Sequence, residues 1–113
     1  DWTTYFTNLQ AIAICDDQWD HEDLSVISQL TYVNIIAANQ YHSNALTNNP
    51  LIPISTTVID NIINHVAAGS GQHISNGTIV IQSGGPTYSG ASAASLAYLK
   101  SKGWSVYISS VLQ

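Results

Sequence analysis

The sequence predicts an α/β domain built on a mostly parallel sheet of about four strands, with helices on one side. Three observations carry that expectation. The last third of the chain reads strand, helix, strand; a strong helical stripe precedes it; and a spaced aliphatic pattern recurs in the front half.

The clearest strand follows the turn signal Asn76-Gly77: Thr78 to Gln82 is a β-branched run with Ile79 and Ile81 on one face and Thr78, Val80 and Gln82 on the other. Gly84-Gly85-Pro86 then breaks the chain. Ser92 to Lys102 forms a small-residue helix carrying Leu96 and Leu99, closed by Gly103, and Trp104 to Ile108 is again a strand with Val106 and Ile108 facing one way. Two strands joined by a crossover of this length pair in parallel and right-handed, with the helix on one side. Upstream, Val58, Ile59, Ile62, Ile63 and Val66 fall on one helical stripe over 57–65. Ser55, Thr56 or Thr57 is placed to cap its start, and Gly69 or Gly71 its end.

In the front half Leu9, Ile12 and Ile14 recur as Leu30, Val33 and Ile35, each displaced by 21 residues, and Asp17-Gln18 and Asn39-Gln40 follow the two sets as turn signals. A third step lands Leu51 and Ile54 on Leu30 and Val33 before the helix begins. The strands are therefore expected to centre on Ile12, Val33, Val80 and Val106. A period in the low twenties of the form Leu-x-x-Leu-x-Leu with an Asn-like turn is the mark of a leucine-rich-repeat solenoid, each unit lending one strand to a continuous sheet. Asp17 stands where that pattern has Asn, and Asn39 comes one place late, so the repeats are degenerate.

The order Val58-Ile59-Asp60-Asn61-Ile62, Asn76-Gly77-Thr78 and Lys102-Gly103-Trp104 resembles the C-terminal ends of bacterial leucine-rich-repeat surface proteins of the Bacteroidetes type. The resemblance covers about residues 56–108. It implies a non-enzymatic binding or structural surface, with 1–55 as degenerate repeats and 56–113 as a helix-strand-helix-strand cap of a single domain. There are too few repeats for a horseshoe with a large concave groove.

Composition narrows the partners. At 113 residues the chain has room for one core. Charged residues make up only 8%, against about 25% in an average soluble protein, so the surface is neutral and polar. Lys100 and Lys102 are the only basic residues beside a formal charge of -5, which excludes a run of neutralised phosphates and disfavours nucleic acid and anionic membrane. No apolar run approaches the roughly 20 residues that span a bilayer, so no membrane insertion is expected. Asp1 rather than Met begins the sequence, which reads as a processed product, an excised piece or part of something longer. Cys15 stands alone and reads as a small core residue. The lysine-poor, Asn/Thr/Ser/Tyr-rich composition points outside the cell, to a cell surface or to a particle surface.

No motif assembles a catalytic or metal centre, and no cofactor is expected. The acidic stretch Asp16-Asp17-Gln18-Trp19-Asp20-His21-Glu22-Asp23 is oxygen-rich enough for Ca²⁺, with Asp16, Asp17 and Asp20 as candidate ligands, but lacks the Gly and distal Glu of a calcium loop. A solvated acidic loop and an acidic contact surface are the other readings. His21, His42, His65 and His73 show no pairing at i, i+3 or i+4. Asp60 and His65 lie about 140° apart around their helix and do not meet. Gly90-Ala91-Ser92 is not a nucleophile elbow, since Ala94 replaces the second glycine. Gly84-Gly85-Pro86 is a linker rather than a phosphate loop, because Pro86 removes a donor. Asn76-Gly77-Thr78 fits a glycosylation acceptor but reads first as a turn into a strand.

The aromatic residues carry the functional expectation. Trp2, Tyr5, Phe6, Trp19, Tyr32, Tyr41, Tyr88, Trp104 and Tyr107 are too many for one small core to hide. Alternation puts Tyr32, Asn34, Val80 and Tyr107 on the sheet face opposite the aliphatic residues. With helices over the aliphatic side, that face is a candidate for binding another protein or copies of this chain, outside the cell or on a particle. The open strand edges of a short sheet add to the case for self-assembly. The alternatives are the C-terminal cap of a longer bacterial adhesin and, from another class, a small hydrolase or metal-dependent enzyme.

Overall fold

Residues 8–15, 23–37 and 53–113 are described in the computed structural model of the chain. Four strands occupy the places that alternation assigns: β1 (Ala11–Cys15), β2 (Tyr32–Ile36), β3 (Thr78–Gln82) and β4 (Ser105–Ile108). They run parallel in the spatial order β1-β2-β3-β4, each beside its predecessor in sequence. Ile12 pairs with Val33 and Ile14 with Ile35, so the 21-residue displacement of the aliphatic pattern is the pairing register itself. A slip of one residue would turn the aliphatic set away from the core.

A fifth strand, β5 (Val111–Leu112), returns antiparallel on β4, where about four strands were expected. Its two residues are too few to show alternation, and the link, Ser109-Ser110, is not a composition that marks a hairpin. Both serines are nevertheless left-handed, with φ of 49° and 67°, as a two-residue type I′ connection demands. The Gln113 N–H closes the hairpin on the Val106 carbonyl at 2.9 Å.

Helix α1 (Thr56–Ala68) lies in the β2–β3 crossover and α2 (Ala93–Ser101) in the β3–β4 crossover. Ser55 caps α1 by accepting from the Val58 N–H at 3.2 Å, and Gly69 ends it. The stripe Ile59, Ile62, Ile63 and Val66 is buried against Val33, Ile35, Ile79, Ile81 and Val106. Gly103, at φ 83°, lets α2 finish in a Schellman turn: its N–H bonds the Lys100 carbonyl and the Trp104 N–H the Leu99 carbonyl, both at 3.0 Å. Leu99 and Trp104, which flank that turn, are both buried.

Ahead of β2, a short 3-10 turn (Leu24–Val26) sends Leu24, Ile27 and Leu30 into the same core. The described parts of the connections thus send their buried apolar residues into one core against the sheet. Because the order of the described strands never reverses, they form no switch-point crevice of the kind that receives nucleotides in doubly wound folds. No described helix is long and apolar enough to cross a membrane.

Candidate binding face

The sheet's two faces differ in how they treat polar groups. On the helix side every buried polar side chain among the described residues is bonded. The Ser70 hydroxyl donates to the Ile27 carbonyl at 2.7 Å and accepts from the Leu30 N–H at 2.8 Å, tying the end of α1 to the approach of β2. Asp60, 5% exposed on α1, accepts from the Ser89 N–H at 2.8 Å, the Ser89 hydroxyl at 2.5 Å and the Ser92 hydroxyl at 2.6 Å. Burial alone would raise the Asp60 carboxyl; these three donors outweigh it and hold it below the ordinary aspartate range. The Ser83 hydroxyl contacts the Pro86 carbonyl and lies 2.9 Å from that of Ser109.

These bonds settle several residues with chemical potential. Ser92 and Asp60 clamp the β3–α2 connection onto α1, and His65 faces Asp23 at 3.6 Å rather than Asp60. The Ser25 hydroxyl, against the opposing effect of burial and with help from the Ser25 N–H and His65, holds the Asp23 carboxyl below its usual range. Among the described residues no three His, Cys, Asp or Glu side chains are grouped to hold a metal ion. The calcium candidates Asp16, Asp17 and Asp20, with His21, Glu22 and His42, lie outside the described residues, as do Trp2, Tyr5, Phe6, Trp19 and Tyr41. Cys15 ends β1. A recess of about 380 Å³ at the carboxyl ends of the strands is lined by Ile36, Ala37, Gln82, Gly84, Gly85, Ser109 and Ser110, none of them titratable near neutral pH.

The other face carries Tyr32, Asn34, Val80 and Tyr107, and no described element packs on it. The register fixes three rows across the strands. One runs Ala11, Tyr32, Thr78, Ser105; the central row runs Ala13, Asn34, Val80, Tyr107, Leu112; the third runs Cys15, Ile36, Gln82. Tyr32 is 38% exposed and Leu112 59%, while Asn34, Val80 and Tyr107 are half-buried. Not one position in these rows bears a charge at neutral pH. The side chains of Tyr32, Thr78, Gln82, Ser105 and Tyr107 have no hydrogen-bond partner among the described residues.

Asn34 is the centre of this arrangement. Its Oδ1 is buried and has no hydrogen-bond partner. A buried carbonyl left without a donor costs about 1–3 kcal/mol, so the position is not explained by stability. Sequence alternation found Tyr32, Asn34, Val80 and Tyr107; Ile36 completes the face and follows from the same period. The Asp60–Ser89–Ser92 clamp was not foreseen, because no sequence spacing links residues about thirty apart.

No protein-family model, curated protein or solved structure matches this chain.

Proposed function

We propose that this chain is a non-catalytic interaction module of leucine-rich-repeat type whose working surface is the uncharged sheet face around Tyr32, Asn34, Val80 and Tyr107, binding a protein partner, copies of itself included. The observation that carries this reading is the contrast between faces: buried polar groups on the helix side are bonded, whereas Asn34 on the open side buries an acceptor without a donor. An aromatic, neutral, amphipathic surface of this kind suits a protein contact. The repeat reading rests on the in-register parallel pairing at 21 residues and on the described parts of the crossovers packing into one core. The charge-poor composition supports a setting outside the cell or on a particle.

The test is affinity capture with matched baits. Wild-type chain is compared with Val80→Asp and Tyr107→Ser, both of which keep the core intact. A partner retained by wild type and lost with either variant supports the reading. A partner retained equally by all three baits removes the face from consideration.

A further inference from the structure

The geometry points to a further binding site on the helix layer: the groove between α1 and α2 is a subsite for one ring of a neutral sugar. This goes beyond the protein contact proposed above and uses none of the same residues.

Helical spacing builds the groove. Asn64, Ala67 and Ala68 stand at i, i+3 and i+4 on α1 and so share one face, while Ala94 and Ser95 stand four and three residues before Tyr98 on α2. The 3-10 turn Ser70–Gln72, which follows α1, brings Gln72 to the same recess. The alanines are too small to fill the seam between the helices. They leave a recess of about 300 Å³, at the lower end for small-molecule sites and with room for a sugar ring.

The carboxamides of this groove are held in one orientation. Nδ2 of Asn64 donates to the Ala91 carbonyl at 3.3 Å, and Nε2 of Gln72 donates to the Ala67 carbonyl at 2.8 Å. A carbonyl only accepts, so these bonds decide which end of each carboxamide is the nitrogen. Oδ1 of Asn64 and Oε1 of Gln72 are left as acceptors with no donor among the described residues. The Ser95 and Tyr98 hydroxyls have no described partner either, and each is able to donate and to accept. Tyr98, half-buried, adds an aromatic ring to the wall.

The ligand class follows from what the groove offers. None of the described residues lining it carries a charge at neutral pH, so it has neither a cation to hold a phosphate or carboxylate nor a carboxylate to hold an ammonium. Its ligand is neutral. Two fixed acceptors require donors, and two rotatable hydroxyls serve either role. A pyranose carries hydroxyls of both roles around its rim and C–H groups on its faces, so the rim meets the carboxamides and hydroxyls while one face lies on Tyr98.

The experiment is an NMR titration of the isotope-labelled full chain with the methyl glycosides of glucose, galactose, mannose and N-acetylglucosamine. The signals read are the side-chain amides of Asn64 and Gln72 and the backbone amide of Tyr98. Saturable shifts are expected with at least one glycoside at a Kd of about 1 mM or weaker, the range of a single small ring, and none with a sugar phosphate. Ala94→Leu fills the recess at an exposed helical position that leucine suits, and Tyr98→Ala removes the ring; each should weaken binding at least ~10-fold. Thermal melting checks that both variants are folded. Retention on an immobilised neutral polysaccharide assigns the ring to a glycan, and shifts with free glycoside but no retention assign it to a soluble sugar; either supports the site. Absence of shifts up to about 50 mM of every glycoside overturns the inference, as do shifts that neither variant diminishes. A response to a neutral nucleoside and to no glycoside overturns the sugar as the ligand.

Discussion

The benzene ring of the Trp104 indole lies directly against the Cα of Gly77, so that a methyl group on Gly77 would overlap three of its carbons. The indole N–H donates to the Ile74 carbonyl at 2.8 Å, and the Asn76 N–H donates to the Lys102 carbonyl at 3.0 Å. The approaches to β3 and β4 are thus one interlocked unit. Gly77→Ala is expected to lower stability by about 2 kcal/mol, the usual cost of overpacking a filled site. In urea unfolding, adding Trp104→Leu should recover part of that loss, since the two residues are coupled through one contact. Additive losses would mean that the ring is not what excludes the methyl group.

The β4–β5 hairpin holds its two linking serines left-handed, a conformation that costs a non-glycine residue roughly 1–2 kcal/mol. Ser110→Gly is therefore expected to stabilise the chain by about 1 kcal/mol. Ser109→Gly should gain less, because its hydroxyl lies within hydrogen-bonding distance of that of Ser83. Thermal melts of the two variants rank them, and equal gains would show that the Ser83 contact contributes nothing.

Regular elements were legible in the sequence because local patterns define them. The alternation of Thr78–Gln82, the stripe from Ile59 to Val66 and the glycine after Lys102 each act within a few residues, and each appears where it was expected. The pairing of β1 with β2 was legible too, since the 21-residue displacement of three aliphatic residues is a register. Long-range polar contacts were not. Ser70 finds Ile27 and Leu30 across some forty residues, and a serine that bridges two backbones looks like any surface serine. The open face was half legible: alternation assigns Tyr32 and Asn34 to it, but only packing reveals that the Asn34 carbonyl is sealed without a donor.

Ser70 provides a direct measure of such a contact. Ser70→Ala removes both of its bonds and leaves the Leu30 N–H and the Ile27 carbonyl without their partner at a fully buried position. The expected loss is about 2–3 kcal/mol in chemical denaturation. Ser70→Thr keeps the hydroxyl, and Ser101→Ala, on an exposed residue, should cost a few tenths of that amount. A small effect of Ser70→Ala would mean that water replaces the hydroxyl.

Asp60 should make the fold acid-sensitive. Its carboxyl is held below the ordinary aspartate range in the folded chain, so unfolding raises its proton affinity. The stabilisation is complete above the unfolded value of about 3.9 and is lost as pH falls through the folded value. Urea midpoints measured from about pH 6 down to about pH 2 should fall, with a shallower decline in Asp60→Asn, which itself is less stable at neutral pH by about 1–3 kcal/mol. Asp23→Asn is the control, since that carboxyl is also held low and contributes in the same direction. An unchanged acid slope in Asp60→Asn would assign the acid loss to other carboxylates.

Asn34 separates stability from function most cleanly. Asparagine is a poor strand residue, and here it buries an unpaired acceptor in the middle of β2 between Ala13 and Val80. Asn34→Val supplies a β-branched side chain and removes the unpaired group, so it is expected to raise stability by about 1 kcal/mol. The same change deletes the carboxamide at the centre of the face, and partner capture should fall. Stability gained together with binding lost is the signature of a position held for recognition. If Asn34→Val instead unfolds at lower urea, the amide serves the fold, and the case for this face as the working surface loses its principal support.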